Sequence, residues 1–191
     1  MGPMATTTDE ELMARFQAGD LESFGVLAGR YEAPLFRLAN RYLGRPEEAE
    51  EVRQDALMKA YTQAASFDPG GRFRSWIFRI AVNLCHDRSR RRRRWRWVPL
   101  ADPEGQGPAG PFPPPSAPEA EASIERRETS DRVRQALNDL PKEQRAVLVL
   151  KEFEEMKFRE IAEVLGCPES TVKSRLYRGL SALRASMDDP R

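Results

Sequence analysis

Residues 158–178 read FREIAEVLGCPESTVKSRLYR, and the spacing inside this stretch decides the fold. Ala162 is small where two helices would cross, and Gly166 permits the left-handed backbone of a tight turn. Val172 follows ten residues past the alanine, where a second helix needs an apolar anchor. The three together predict a helix-turn-helix, with helices over 158–165 and from 170 to about 185. The outer face of the second helix offers Ser170, Lys173, Ser174, Tyr177 and Arg178, donors of the reach and type that contact base edges and phosphates. Arg175 either joins that face or turns inward. Over 170–184 there are the cations Lys173, Arg175, Arg178 and Arg184 and no acid, which suits a polyanion. An ordinary helical hairpin would need none of the three spacing residues in register.

Outward from this motif, Pro141 opens a predicted helix through Phe153, and 124–137 forms another before it. Towards the N-terminus, Thr8 and Glu11 have capping-box spacing, so a first helix starts near Asp9. Gly19-Asp20 reads as a stop and a new N-cap. Phe24, Leu27, Tyr31, Leu35, Leu38 and Tyr42 then recur at three- and four-residue steps, an amphipathic helix in which Pro34 predicts a kink or short break. Pro46 opens a third helix to about Ser66, and Asp68-Pro-Gly-Gly71 breaks the chain. Trp76, Ile77, Ile80, Ala81 and Leu84 mark a fourth helix from Phe73 to about Arg94. No β pattern is visible.

A chain of 191 residues that is 40% hydrophobic can bury one ordinary core or two small ones. The segment from Pro99 to Pro118 decides for two, because it holds eight prolines and three glycines with little periodicity. The expected class is therefore all-α: two small helical domains, 1–97 and 123–191, joined by a flexible linker over 98–122. Charge is sorted between segments. Residues 1–50 carry nine acids against five bases, and 51–97 four against twelve. Seven of the twelve are Arg88, Arg90, Arg91, Arg92, Arg93, Arg94 and Arg96, interleaved with Trp95 and Trp97, a density that points to phosphate. The opening turn of the third helix is acidic at Glu47, Glu48, Glu50 and Glu51, more than the helix dipole needs, which suggests a basic protein partner.

No window approaches 18 apolar residues and no signal-peptide pattern opens the chain, so a cytoplasmic protein without membrane insertion is expected. Cys85 and Cys167 fall in different expected domains, which argues against a disulfide. No phosphate loop, metal-ligand spacing or carboxylate pair stands out, so neither a metal nor another cofactor is expected. His86 follows Cys85, but neighbouring helix positions point roughly 100° apart and do not make a nucleophile and base. The reading is a binding protein and not an enzyme. A stand-alone helix-turn-helix regulator, with a ligand-binding or dimerising N-terminal half, is the alternative function.

Two stretches carry a family resemblance. EEAEEVRQDALMKAY (47–61) followed by FRSWIFRIAVNLCHDRSRRRR (73–93) resembles region 2 of the sigma-70 family, in its extracytoplasmic-function (ECF) group. Residues 140–183, LPKEQRAVLVLKEFEEMKFREIAEVLGCPESTVKSRLYRGLSAL, resemble region 4 of the same group. Fewer than thirty residues separate the two expected domains, so region 3 of larger sigma factors is missing, as in ECF members.

The resemblance implies a transcription initiation factor that binds core RNA polymerase and promoter DNA. Glu50, Glu51, Gln54 and Asp55 match the surface that docks on the β′ clamp helices, although Arg53 departs from the usual apolar residue there. The loop from Ser66 to Arg74 and the following helix match the part that reads the minus-10 element and opens the duplex, through Phe67, Arg72, Phe73, Trp76, Asn83, Arg88 and Arg91. A flipped base needs stacking surface and donors to its edge, which Phe73, Trp76 and Asn83 could supply, while Trp76 also stands at core spacing. Ser170, Lys173, Ser174, Arg175, Tyr177 and Arg178 match the residues used on the minus-35 element, in a domain that also meets the β flap. The linker, with Asp102, Glu104, Glu119 and Glu121, would run towards the RNA exit channel. An anti-sigma factor is the further partner implied.

Overall fold

The computed structural model describes residues 7–95 and 132–188, and every regular element among them is helical. Helix α1 (Asp9–Gln17) starts on the expected capping box: Thr8 Oγ1 accepts the Glu11 amide and Glu11 returns a carboxylate to the Thr8 amide. Gly19, at φ 105°, turns the chain, and Asp20 accepts the Glu22 and Ser23 amides to open α2 (Leu21–Leu43). This helix passes through Pro34 without the break that was one expectation. Its buried stripe of Leu27, Tyr31, Leu35, Leu38 and Tyr42 runs on both sides of the proline and holds the axis together. Gly44, at φ 73°, ends α2 in a left-handed cap.

Helix α3 (Pro46–Thr62) takes proline at its first position and lays Ala49, Val52, Ala56 and Ala60 against α2, each fully buried. Three alanines on one face let two backbones approach closely where larger side chains would hold them apart. A short turn at Ala64–Ser66 and the Asp68–Gly71 loop lead to α4 (Phe73–Trp95). Phe73, Ile77, Phe78, Ala81 and Cys85 of α4 close the first core.

The second half begins with α5 (132–139) and continues through α6 (Lys142–Leu148), which widens into a π-helical turn at Val149–Phe153. There Glu154 donates its amide to the Val149 carbonyl at 3.3 Å. Helices α7 (Phe158–Leu165) and α8 (Glu169–Asp188) complete it. Ala146 to Leu150, Ile161, Val164, Val172 and Leu176 form the second core. The expected single helix from Pro141 to Phe153 is thus two geometries in sequence.

The halves meet along α4 and α7, and along α2 and the π-helical turn. Buried apolar residues of the two halves form one continuous cluster, and polar contacts cross the seam beside it. Tyr42 donates its hydroxyl to the Lys142 carbonyl at 3.3 Å, and Arg74 donates to the Glu154 carbonyl at 2.5 Å. Among the described residues no helix is long and apolar enough to cross a membrane. The expected linker over 98–122, with its acids, and the end of the arginine run at Arg96 and Trp97 lie outside the described residues.

Candidate functional site

The helix-turn-helix is built from local chemistry. The Glu160 carboxylate accepts the Lys157 amide at 2.7 Å and opens α7. Gly166, at φ 62° and ψ 39°, ends it. A Cβ at Gly166 would meet nothing within 4 Å, so the left-handed backbone alone calls for glycine there. Val172 is fully buried and sets the rotation of α8, which leaves Ser170, Lys173, Tyr177 and Arg178 exposed. Positions 170, 173, 174, 177 and 178 share one outward face by helical spacing. Ser174 is half-buried and donates to the Thr171 carbonyl at 3.0 Å. Arg175 takes the inward alternative, with Nη1 donating to Cys167 Sγ at 3.5 Å.

The N-terminal constellation is brought together differently from the sequence expectation. Phe73 is fully buried and Phe67 is 4% exposed, so neither ring stands at the loop edge. Phe67, Phe73 and Trp76 form a triangle of rings with centroids 5.4 to 5.8 Å apart, and Tyr31 closes edge-on to Phe73 at 5.2 Å. Two buried aromatic rings bring more apolar area out of water than the short loop could otherwise contribute, and this anchors Asp68–Gly71 against the core. The loop is closed by Asp68, whose carbonyl accepts the Gly71 amide at 2.8 Å and whose carboxylate accepts the Gly70 amide at 3.1 Å. Glu10 reaches across from α1 to accept the Phe73 amide at 3.0 Å, where the open N-terminus of α4 is positive.

Trp76 is half-buried at the rim of that triangle, whereas Asn83 and Arg91 are exposed on α4. Arg72 is engaged with Glu163 of α7 at 3.1 Å. Arg88 is held by two carboxylates of α3, Glu51 and, at 2.7 Å, Asp55. The residues expected on polymerase and a residue expected on DNA are therefore ion-paired with one another. Glu50 pairs with Arg53, whose Nε donates at 3.0 Å, and accepts from Gln54 at 3.0 Å. The hydrogen bonds from Arg53 hold the Glu50 carboxyl below its ordinary pKa. Arg53 also reaches Glu32 of α2 at 3.3 Å, which accounts for a cation at the position where the family pattern is apolar.

Cys85 lies in the first core, where burial pushes its thiol well above the ordinary range, and burial lowers the neighbouring His86. A thiol of that kind packs as a small hydrophobe. Among the described residues no group of three or more His, Cys, Asp or Glu side chains is placed to hold a metal ion.

Several residues at the junction were missed from sequence. Ser75 is 4% exposed and donates to Glu163 at 3.0 Å, and Arg79 donates to the Glu163 carbonyl. Arg145 and Glu154 are 4% and 5% exposed. Only the 72, 75, 79, 83 spacing on α4 would have grouped any of these in advance.

Known proteins carry the same two modules. The family model for sigma-70 region 2 matches residues 27–95, and that for sigma-70 region 4 matches residues 130–183. The chain is 34% identical over 179 residues to the ECF RNA polymerase sigma factor SigW of Bacillus subtilis, covering 90% of this chain and 92% of that one. It is 31% identical over 179 residues to the ECF RNA polymerase sigma-E factor of Escherichia coli K12, covering 92% of each. Among solved structures it resembles CnrH in complex with the cytosolic domain of CnrY, with a TM-score of 0.70 at 26% identity over 94% of this chain and 97% of that one. The sigma factor RpoE of Bartonella quintana, in complex with the anti-sigma factor NepR, shares the fold with a TM-score of 0.65 at 23% identity, covering 90% of this chain and 100% of that one. The chain belongs to the extracytoplasmic-function group of sigma-70 family RNA polymerase sigma factors, which serve transcription initiation.

Proposed function

We propose that this sigma factor docks on core RNA polymerase through α3, reads the minus-35 element with α8, and reads and opens the minus-10 element with α4. The domains doing so are 1–97 and 123–191, joined by the linker over 98–122. The observation that carries the reading is the exposed face of α8. Ser170, Lys173, Tyr177 and Arg178 are left in water by a helix whose opposite side is fixed by fully buried Val172. An α-helix presenting such a face fits the major groove, where each base pair shows a distinct donor and acceptor pattern.

On α3, Glu50, Glu51, Gln54 and Asp55 occupy adjacent helical steps and present acids to the basic clamp of β′, while the second domain meets the β flap. On α4, Asn83 projects towards a flipped minus-10 base. Trp76 contributes the exposed part of its ring, and Phe67 and Phe73 support the loop from beneath. Arg88 and Arg91 hold the backbone near the opened segment, a contact that adds affinity and salt dependence with little sequence information. Because RpoE of Bartonella quintana was solved with the anti-sigma factor NepR, an anti-sigma partner is proposed for this chain as well.

Permanganate footprinting of promoter fragments tests the whole reading. Reactive thymines near minus 10 are expected with the chain plus core polymerase, and none with either alone. Tight duplex binding by the chain alone, with no reactive thymines when core is added, would instead mark a stand-alone regulator.

A further inference from the structure

One face of α4 is already occupied by the chain itself. Arg72, Ser75, Arg79 and Asn83 follow one another at steps of three and four, so they share a side of the helix. The Glu163 carboxylate of α7 sits on the first part of that side, 3.1 Å from Arg72 Nη2 and 3.0 Å from Ser75 Oγ. Its main-chain carbonyl accepts from Arg79. The Arg72 guanidinium and the Ser75 hydroxyl on the carboxylate, with the Arg79 guanidinium on the carbonyl of the same residue, bring together donors that a phosphate can take, with charge on the donors and oxygen on the acceptor. Ser75 is 4% exposed, so its hydroxyl is committed to this contact and not to water. Glu163 meets no comparable set within its own motif, where Arg159 stands 3.7 Å away. Asn83, further along the same face, stays exposed.

We propose that Arg72, Ser75 and Arg79 form a binding site for a DNA backbone phosphate, and that Glu163 fills this site as a carboxylate stand-in while the two halves are closed. The first helix of the helix-turn-helix then acts as a plug on the face that leads to Asn83. Promoter phosphate and Glu163 compete for the same donors, so DNA binding and domain opening are linked reciprocally. The proposal rests on the reading of α4 as the minus-10 helix and adds the phosphate contact and its intramolecular competitor. Arg72 is 31% and Glu163 37% exposed at the side chain, so the lock is partly screened and separable.

The test uses the full chain without polymerase and a fluorescein-labelled single-stranded oligothymidylate at low salt. Glu163→Gln keeps the shape and removes the charge. It is expected to tighten oligonucleotide binding by about three- to tenfold, the scale of one or two half-exposed ion pairs, and to increase the radius of gyration in small-angle X-ray scattering. Adding Arg79→Ala to that variant should cancel the gain. Glu152→Gln, the same charge change at an exposed position of the π-helical turn, should leave binding unchanged. Equal affinities of Glu163→Gln and wild type overturn the proposal. So does an equal gain from Glu152→Gln, or a gain that survives loss of Arg79. Footprinting wild type with core polymerase separates the two failures: open promoters with no gain in Glu163→Gln remove the plug alone, whereas no opening at all removes the minus-10 reading.

Discussion

Replacing Arg145 by methionine is expected to lower the stability of this protein by about 3 kcal/mol, although neither proposed partner is placed at that residue. Arg145 is 4% exposed. Its Nη1 donates to the Tyr42 carbonyl at 3.1 Å and to Asn138 Oδ1 at 3.2 Å, and its Nη2 donates to the carbonyls of Leu140, at 3.2 Å, and Asn138. The Tyr42 and Asn138 carbonyls belong to the last turns of α2 and α5, whose final carbonyls have no intrahelical donor. One guanidinium thus caps two helices from different halves, at their negative ends. It also lies 5.1 Å from the Tyr42 ring centroid.

Methionine fills much of the volume and donates nothing. Each buried acceptor left without a partner costs about 1–3 kcal/mol, against which stands relief from burying a charge. Two to three stranded carbonyls minus that relief give the figure above. With a urea slope of about 2 kcal/mol/M, the unfolding midpoint should fall by about 1.5 M, followed by circular dichroism on the full chain. Arg145→Lys should fall between, because an ammonium lacks the planar fork. A midpoint within about 0.5 M of wild type for Arg145→Met would refute the double-cap argument, since it would mean the carbonyls find water or tolerate isolation.

Other expectations follow from single groups. Arg178→Ala should weaken minus-35 binding by about 1–3 kcal/mol at one base position if it reads a base, and uniformly across sequences if it holds phosphate; unchanged binding in a holoenzyme shift assay excludes both roles. Asn83→Ala should blur minus-10 selection while leaving the affinity for core polymerase intact, and a loss of core binding would count against its assignment. A thiol reagent should modify at most one cysteine of the native chain and two in denaturant, because Cys85 is fully buried while Cys167 is half-exposed; native reactivity at Cys85 would contradict its place in the core. Burial raises the Glu154 carboxyl, so the folded state holds that proton more tightly than the unfolded chain does. Stability should fall as pH rises from about 4.5 through the folded value, and Glu154→Gln should lose that dependence; urea midpoints whose difference between the two proteins is flat with pH would refute it.

Where a signal was local, the sequence carried it. The Thr8–Glu11 box, the Asp20 cap, proline at the start of α3 and Gly166 in the turn each depend on residues within four positions, and each stands where the spacing put it. The exposed set on α8 follows from Val172 in the same way. The burial of Phe67 and Phe73 was not legible, because a loop beside a helix start shows no wall until Tyr31, thirty or more residues away in the chain, packs on Phe73. The passage of α2 through Pro34 is likewise decided by packing along the helix and not by the proline's own preference. Arg145 within KEQRAV looks like one more surface cation, since nothing nearby announces that the ends of α2 and α5 converge on it. Glu163 was invisible for the same reason: its partners lie 84 to 91 positions earlier.

On the proposed plug, the distribution of polar groups decides where the two halves separate. Within each half, burial is mainly apolar: Phe73, Ile77 and Phe78 in the first, Val147, Leu148 and Ile161 in the second. Apolar burial is non-directional and is lost only on unfolding. Between α4 and α7 the polar contacts are those of Arg72, Ser75 and Arg79 with Glu163, with the Arg72 and Glu163 side chains partly open to solvent. Half-exposed ion pairs contribute about 0–1 kcal/mol each and weaken with salt, so this cluster adds little to holding the halves together, whereas buried Arg145 and the apolar cluster shared by the halves add more. The proposed exchange also conserves chemistry, because a phosphate can take each donor that Glu163 leaves. On the proposed plug, DNA that takes over the donors of Arg72, Ser75 and Arg79 replaces the bonds Glu163 gives up, and this lowers the cost of parting α4 from α7.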